Sequence, residues 1–339
     1  MKKLRIYILL LFTAVCQLPT VAQDIHLSQP WMQPLYLNPG NAGNFDGDYR
    51  VGGIYRNQWR TVPVPYSTIS FMGDARFNSV LSQQSALGAG LIFNNDISGD
   101  SHYSINQLYI PVSHIQNFKS DTNLSVSFGL MPGISNIAFR TNKLSFDNQW
   151  DGDIYNSALA TGENFPALSR TYFDIAAGIT AGYKIRMTGY VNAGTSFSHF
   201  NRPGVSFFKN NDVRLYPKSN SFLSVKYPVT QKVAALLDVM YEKQGPFHET
   251  VVSGRASYLL DPANNVALYG GLSSRLGDAL ILLLGMDYKS YRFGFAYDIN
   301  YSKFQAATNK RGAFEVGLIY IFKKYKPFMP KKRVCPTDM

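Results

Sequence analysis

From residue 49 to residue 322 the chain keeps returning to one pattern. About ten residues alternate bulky apolar side chains with small or polar ones, and then a break follows. Successive side chains on a strand point to opposite faces. In residues 292–301 one face reads Phe293, Phe295, Tyr297, Ile299 and Tyr301, and the other reads Arg292, Gly294, Ala296, Asp298 and Asn300. Residues 313–322 repeat it, with Phe314, Val316, Leu318, Tyr320 and Phe322 opposing Ala313, Glu315, Gly317, Ile319 and Ile321. A soluble sandwich would bury the bulky face. A membrane barrel would turn it to lipid and point the small and polar residues into a lumen. A single strand is compatible with both.

Composition decides between them. Charged residues make up only 16% of the chain, against roughly 25% in soluble domains. Aromatic weight is high, with 22 Tyr and 23 Phe, and Gly adds 27. The first residues carry Lys2, Lys3 and Arg5, an apolar run over 6–16, and Thr20 and Ala22 before Gln23. That is the layout of a secretory signal cleaved after Ala22. The run is too short to span a membrane, and no later run reaches the length of a spanning helix. Cys16 raises a lipoprotein signal, but Val15 stands where a small residue is expected. Loss of residues 1–22 takes the formal charge from +11 to +8, because Lys2, Lys3 and Arg5 leave with them. Cys335 is then the only thiol, so no internal disulfide can form.

Alternating segments fall at 49–60, 68–77, 85–93, 102–113, 123–131, 172–183, 188–197, 221–227, 233–242, 249–259, 266–274, 279–288, 292–301 and 313–322. These are about fourteen, an even number, as closed single-chain bacterial barrels have. The expected fold is therefore all-β, a transmembrane antiparallel β-barrel of the outer membrane. The connections 184–187, 228–232, 260–265 and 289–291 are short and fall at one end. The long stretches 134–170 and 200–220 fall at the other. Short periplasmic turns and long outer loops are the expected asymmetry, which makes both chain ends periplasmic. The expected organisation is a signal peptide over 1–22, an N-terminal periplasmic or plug-like segment over 23–47, the barrel over 48–322, and a basic periplasmic tail over 323–339. Arg50, Arg56, Asp174, Arg292 and Asp298 are expected on the lumen face. Phe295→Arg should be costly on the lipid face, and Ala296→Ser close to neutral.

Chemistry is sparse. His26, His102, His114, His199 and His248 show no metal-ligand spacing, and no hydrolase or metalloprotease motif appears. No enzyme activity and no cofactor are expected. His199, beside a strand end, reads as an interfacial residue. Asp147, Asp151 and Gly152 match the first half of a calcium loop, but Ala158 stands where the bidentate Glu belongs. An acidic surface turn and a weak calcium site on Asp147, Asp151 and Asp153, with Glu163 as a further candidate ligand, both stay open. Beyond Phe322 the chain adds Lys323, Lys324, Lys326, Lys331, Lys332, Arg333 and Cys335, with Pro327, Pro330 and Pro336 between or after them. These residues contribute nothing to closing a barrel; they read as a docking peptide drawn to acidic surfaces, with a solvated, disordered end as the alternative.

Several motifs carry a family resemblance. They are His26-Leu27-Ser28-Gln29-Pro30, Leu35-Tyr36-Leu37-Asn38-Pro39-Gly40 and Tyr55-Arg56-Asn57-Gln58-Trp59. Leu144-Ser145-Phe146, Asp151-Gly152, Thr161-Gly162-Glu163, Ser198-His199-Phe200-Asn201-Arg202-Pro203 and Lys332-Arg333-Val334-Cys335-Pro336 follow in order. Together they resemble the PorP/SprF family of type IX secretion system outer-membrane proteins. The chain departs from the pattern in ending Thr337-Asp338-Met339 after Cys-Pro. The resemblance implies an accessory barrel of a secretion and gliding machinery. Its implied partners are outer-membrane lipid, periplasmic machinery components and secreted proteins with C-terminal sorting domains; nucleic acid is not among them. Two functions remain open at this point: a component that binds and anchors secreted proteins, and a passive channel for small or apolar solutes.

Overall fold

A computed structural model describes residues 24–60, 64–78, 84–118, 123–142, 144–185, 189–208, 213–302 and 308–323. The strands are β1 (Tyr49–Gln58), β2 (Tyr66–Asn78), β3 (Ser85–Ser98), β4 (Tyr103–Tyr109), β5 (Val112–Asn117), β6 (Leu124–Ala138), β7 (Ser169–Lys184) and β8 (Tyr190–Ser198). They continue with β9 (Lys218–Pro228), β10 (Val233–Gln244), β11 (Phe247–Asp261), β12 (Val266–Arg275), β13 (Ala279–Tyr288), β14 (Tyr291–Asn300) and β15 (Arg311–Phe322). Each pairs antiparallel with its sequence neighbours, except that β4 and β5 do not pair with each other and both pair with β3 and β6. β15 returns to β1 in unbroken register from Tyr49↔Phe322 to Gln58↔Ala313, which closes the barrel.

β4 and β5 are two halves of one wall strand, since both lie between β3 and β6. The closed barrel therefore has fourteen strands. The interruption has a chemical cause. Pro111 bonds β3 through its carbonyl (Gly90 N–H, 2.8 Å), and Pro132 bonds Ile110 the same way (2.9 Å). Neither proline has the N–H that would complete its pair.

The alternation seen in the sequence holds around the wall. On β15, Ala313, Glu315, Gly317 and Ile319 are buried, while Val316 and Leu318 are exposed. On β14, Phe293 and Phe295 are exposed while Ala296, Asp298 and Asn300 are buried. Exposed Tyr49, Tyr183, Tyr227, Tyr288, Tyr291 and Phe322 gather toward the end with the short turns, as an interfacial aromatic girdle does. Segments 229–232, 262–265 and 289–290 lie at that short-turn end, and segments 139–168 and 199–217 lie at the other.

Three expectations are corrected. β6 does not stop near Met131 but runs through Pro132 to Ala138, and β7 begins at Ser169. The proline is tolerated because its missing donor faces the break between β4 and β5. The segment expected at 221–227 is longer, Lys218–Pro228, because Lys218 and Asn220 are held inside by buried charge partners. Ala296 is on the lumen face as expected, but the lumen is filled there. The residue is fully buried with Ile281 and Leu283 against Trp31 of the N-terminal segment.

A hydroxyl placed at 296 would therefore be buried in an apolar contact, so Ala296→Ser is expected to cost about 1–3 kcal/mol. Phe295→Arg, on the lipid side of the same strand, is expected to cost about 2–4 kcal/mol near the midplane. Urea-dependent folding into vesicles measures both. If Phe295→Arg were tolerated as well as Phe295→Leu, the outward register would be wrong.

Candidate functional site

The lumen is the site, and the N-terminal segment builds half of it. At one end of the segment the Asp48 N–H donates to the Phe322 carbonyl (2.8 Å), at the short-turn end. At the other, the Asp24 N–H donates to Gln244 Oε1 (3.0 Å), at the long-loop end of β10. Between them come three short helical turns: a 3-10 turn Pro30–Met32, α1 (Pro34–Leu37) and a 3-10 turn Pro39–Asn41. Each opens on a proline, whose missing N–H costs nothing in a first turn.

Small residues let this segment lie against the wall. Ser127 Oγ donates to the Gly40 carbonyl (2.7 Å) and Ser113 Oγ to the Ala42 carbonyl (2.6 Å). Asn38 Nδ2 donates to the carbonyls of Ile179 (3.1 Å) and Thr195 (2.9 Å). A Cβ on Gly88 would sit 2.1 Å from the Ala42 carbonyl oxygen, and one on Gly129 would sit 2.3 Å from the Pro39 carbonyl carbon. Both positions require glycine for that reason.

Charged groups then lock the segment in three places. The Glu315 carboxylate accepts the N–H groups of Ser28 and Gln29, each at 2.8 Å. Ser28 Oγ donates to Asp298 (2.7 Å) and accepts from Arg56 and Arg275. Arg56 bridges Asp298 (3.1 Å) and Glu315 (3.5 Å), and Arg275 bridges Asp298 (3.3 Å) and Glu249 (3.2 Å). Ser28, Arg56, Asp298 and Glu315 are each at most 1% exposed. A charge removed from water this completely is stable only when paired and hydrogen-bonded.

Nearer the long-loop end, the Asp24 carboxylate meets Lys218 (3.3 Å), the Tyr36 hydroxyl (2.7 Å) and His199 Nε2 (3.5 Å). His199 Nδ1 lies 2.8 Å from Asp174, which also accepts the Tyr109 hydroxyl (2.7 Å). Lys218 reaches on to Glu242 (3.1 Å). Toward the short-turn end, Arg50 forms a two-point pair with Asp74 (2.9 and 2.8 Å), and Asp74 also accepts the Gly43 N–H (2.8 Å). Trp31 is covered by the Arg255 guanidinium at 3.8 Å, itself paired with Asp238.

The structure brings Arg50, Arg56 and Asp298 onto the N-terminal segment, and Asp174 reaches it through His199. Arg292 instead pairs with Asp287 (2.8 Å), away from it. His199 is corrected from an interfacial residue to a buried one, because two carboxylates hold its ring. Asp24, Ser28, Lys218, Glu242, Arg275 and Glu315 were not singled out from the sequence. The signal was present for the wall residues among them, since an ionisable side chain at an inward position of a spanning strand needs a partner.

The acidic loop has a different geometry. Asp151 is exposed, and its Oδ1 accepts the N–H groups of Ile154 (2.9 Å) and Asp153 (3.0 Å). Those two backbone donors, Ile154 first, hold its carboxyl below the usual range. Asp147 opens the 3-10 turn Asp147–Gln149, and Asp153 is exposed. Among the described residues no group of three or more His, Cys, Asp or Glu could hold a metal. Of the basic tail, Lys323 is exposed and paired with Asp46 (2.5 Å). Lys324, Lys326, Lys331, Lys332, Arg333 and Cys335 lie outside the described residues.

Removing Arg56 would leave the buried Glu315 carboxylate without its cation and Asp298 with Arg275 alone. Arg56→Met is expected to cost about 3–5 kcal/mol. Arg56→Met combined with Glu315→Gln is expected to recover part of the loss. Urea titration of the four proteins of the cycle measures the coupling, and additive losses would show that Arg56 and Glu315 do not act together.

The barrel resembles solved outer-membrane barrels. CymD, a monoaromatic hydrocarbon channel, matches at a TM-score of 0.50 with 12% identity, over 90% of this chain and 96% of its own. The toluene transporter TbuX of Ralstonia pickettii matches at 0.49 with 12% identity, over 89% and 96%. The translocator domain of the autotransporter NalP of Neisseria meningitidis matches at 0.42 with 12% identity, over 87% and 96%. At such identity the likeness concerns the fold alone. No curated protein matches the chain in sequence. The family model of the type IX secretion system membrane protein PorP/SprF matches residues 20–320. The chain therefore belongs to the PorP/SprF family of type IX secretion membrane proteins and is a barrel of the bacterial outer membrane.

Proposed function

We propose that this barrel binds and anchors secreted proteins for the type IX machinery and does not conduct solutes. The observation that carries this reading is the lumen, where residues 24–48 are fastened by buried charges at Asp24, Ser28 and Gly43. A solute channel would need that segment displaced, against the Asp24 ion pair and the hydrogen bonds of Ser28, Gln29 and Gly43 to buried carboxylates. The long-loop end is taken to face outside, following the usual asymmetry of these barrels.

The loops at that end fit a binding role. Phe139 and Phe165 of one loop pack edge to face (5.1 Å), and Phe207 of the other lies 4.7 Å from Phe139. The two loops thus brace one another. Trp150 (58% exposed), Ile154 (64%), Phe208 (58%) and Val213 (57%) remain at their surface. Clustered exposed apolar side chains mark interaction sites. The occupant in this reading is a secreted protein with a C-terminal sorting domain. The basic tail, Lys323 to Met339, meets a periplasmic component of the machinery through charge attraction that salt would weaken.

Trp150→Glu with Ile154→Glu is expected to lower surface display of the secreted protein several-fold, while the barrel keeps its heat-modifiable migration. Removing residues 324–339 is expected to lower secretion and leave the barrel assembled. Normal secretion by that truncation would refute tail docking, and failure to assemble would make the tail a folding element. In planar bilayers the intact protein is expected to stay near baseline conductance. Steady conductance, or uptake of an apolar solute by vesicles carrying it, would favour the channel.

A further inference from the structure

The outer wall of β3, β4, β6 and β7 changes character in a single step. Phe93, Leu108, Ile134 and Phe173 are directly paired across these four strands. All four are exposed, between 41% and 57%. Two residues farther toward the long loops, the next outward row is Asn95, Asn106, Asn136 and Thr171, again directly paired. Asn95 Nδ2 donates to Asn106 Oδ1 (2.7 Å), and Asn136 Nδ2 donates to Ser169 Oγ (2.8 Å) and Thr171 Oγ1 (2.9 Å). A row of amides and hydroxyls does not face hydrocarbon. It marks where the acyl region ends on this wall, and the four strands continue beyond it.

Directly above the border the outer wall holds a cavity of about 260 Å³. Asn95, Ser104 and Asn106 give it a polar floor, and His102 and Arg140 line it beside three apolar side chains. Arg140 is exposed and enters no ion pair among the described residues. The cavity is smaller than the roughly 300–1,000 Å³ of drug-sized clefts, so it admits a headgroup and not a folded segment.

We propose that this cavity binds the phosphorylated sugar headgroup of an outer-leaflet glycolipid. A guanidinium matches a phosphate in charge and in fork geometry, and amides with a serine hydroxyl match sugar hydroxyls. The position agrees with the chemistry, because such a headgroup sits immediately outside the acyl region. The proposal rests on the long-loop end facing outside, but not on what the loops bind. Its consequence is a fixed lipid contact on the face of the barrel that lies beneath the loop 139–168.

The test uses the full-length barrel purified in detergent, with diphosphorylated lipid A, phosphatidylglycerol or inorganic phosphate added before native mass spectrometry. Lipid A is expected to be retained, and the combination of His102→Ala and Arg140→Ala is expected to reduce retention at least tenfold. Lys243→Ala, an exposed cation on a distant outward position, is expected to retain it fully. Asn106→Leu changes the floor without touching His102 or Arg140 and is expected to reduce retention as well, so the site stays testable if the double variant misfolds. Equal retention by the double variant and Asn106→Leu overturns the proposal. So does equal retention of phosphatidylglycerol, or binding of phosphate without lipid A. Loss of lipid A from a double variant that still secretes normally supports the site and separates it from the cargo-docking reading.

Discussion

No backbone polar group can be left unpaired in a bilayer, and everything else in this molecule depends on how the chain meets that demand. The answer is the ladder between β1 and β15, which joins Tyr49 to Phe322 and Gln58 to Ala313. Closure removes both sheet edges at once. It also explains how two prolines can sit in the wall. Pro111 and Pro132 forfeit donors at one place, and the neighbouring ladders hold the strand halves β4 and β5 in position.

Closure creates a second demand. Fourteen strands enclose more space than their own inward side chains fill, and many of those side chains are Gly, Ala or Ser. The N-terminal segment takes up that space. Its geometry is governed by the small residues, since Gly88 and Gly129 allow backbone to approach backbone. Its position along the axis is governed by charge. Glu315 grips the backbone of Ser28 and Gln29, and Asp74 grips Gly43. The inward carboxylates therefore do two things at once: they neutralise the wall's arginines, and they fix the register of a segment that has no strand pairing of its own. A lumen organised this way favours a static scaffold.

Much of this was legible in the sequence. The alternation in 292–301 assigned Phe295 to lipid and Asp298 to the lumen, and the parity of the turns separated long connections from short ones. What escaped was any relation not expressed in local period. Ala296 was read as a lumen residue tolerant of change, because nothing near it in sequence announces Trp31. His199 looked interfacial, because Asp174 and Asp24 lie 25 and 175 positions away. The continuation of β6 through Pro132 and the start of β9 at Lys218 were missed, because a proline or a charge normally ends a strand unless a distant partner accommodates it.

The sequence by itself determined the face of each wall residue, the number of spans, and the end that carries the long loops. These follow from a period of two residues and from segment length, which are local properties of an extended chain. Only the tertiary structure decided which inward charges meet, and that the N-terminal segment joins them. Ser28 and Glu315 are 287 residues apart in the chain and 2.8 Å apart in the lumen. Their meeting requires the closed register of β1 on β15 first, because only closure brings the two ends of the chain to the same cross-section of the barrel.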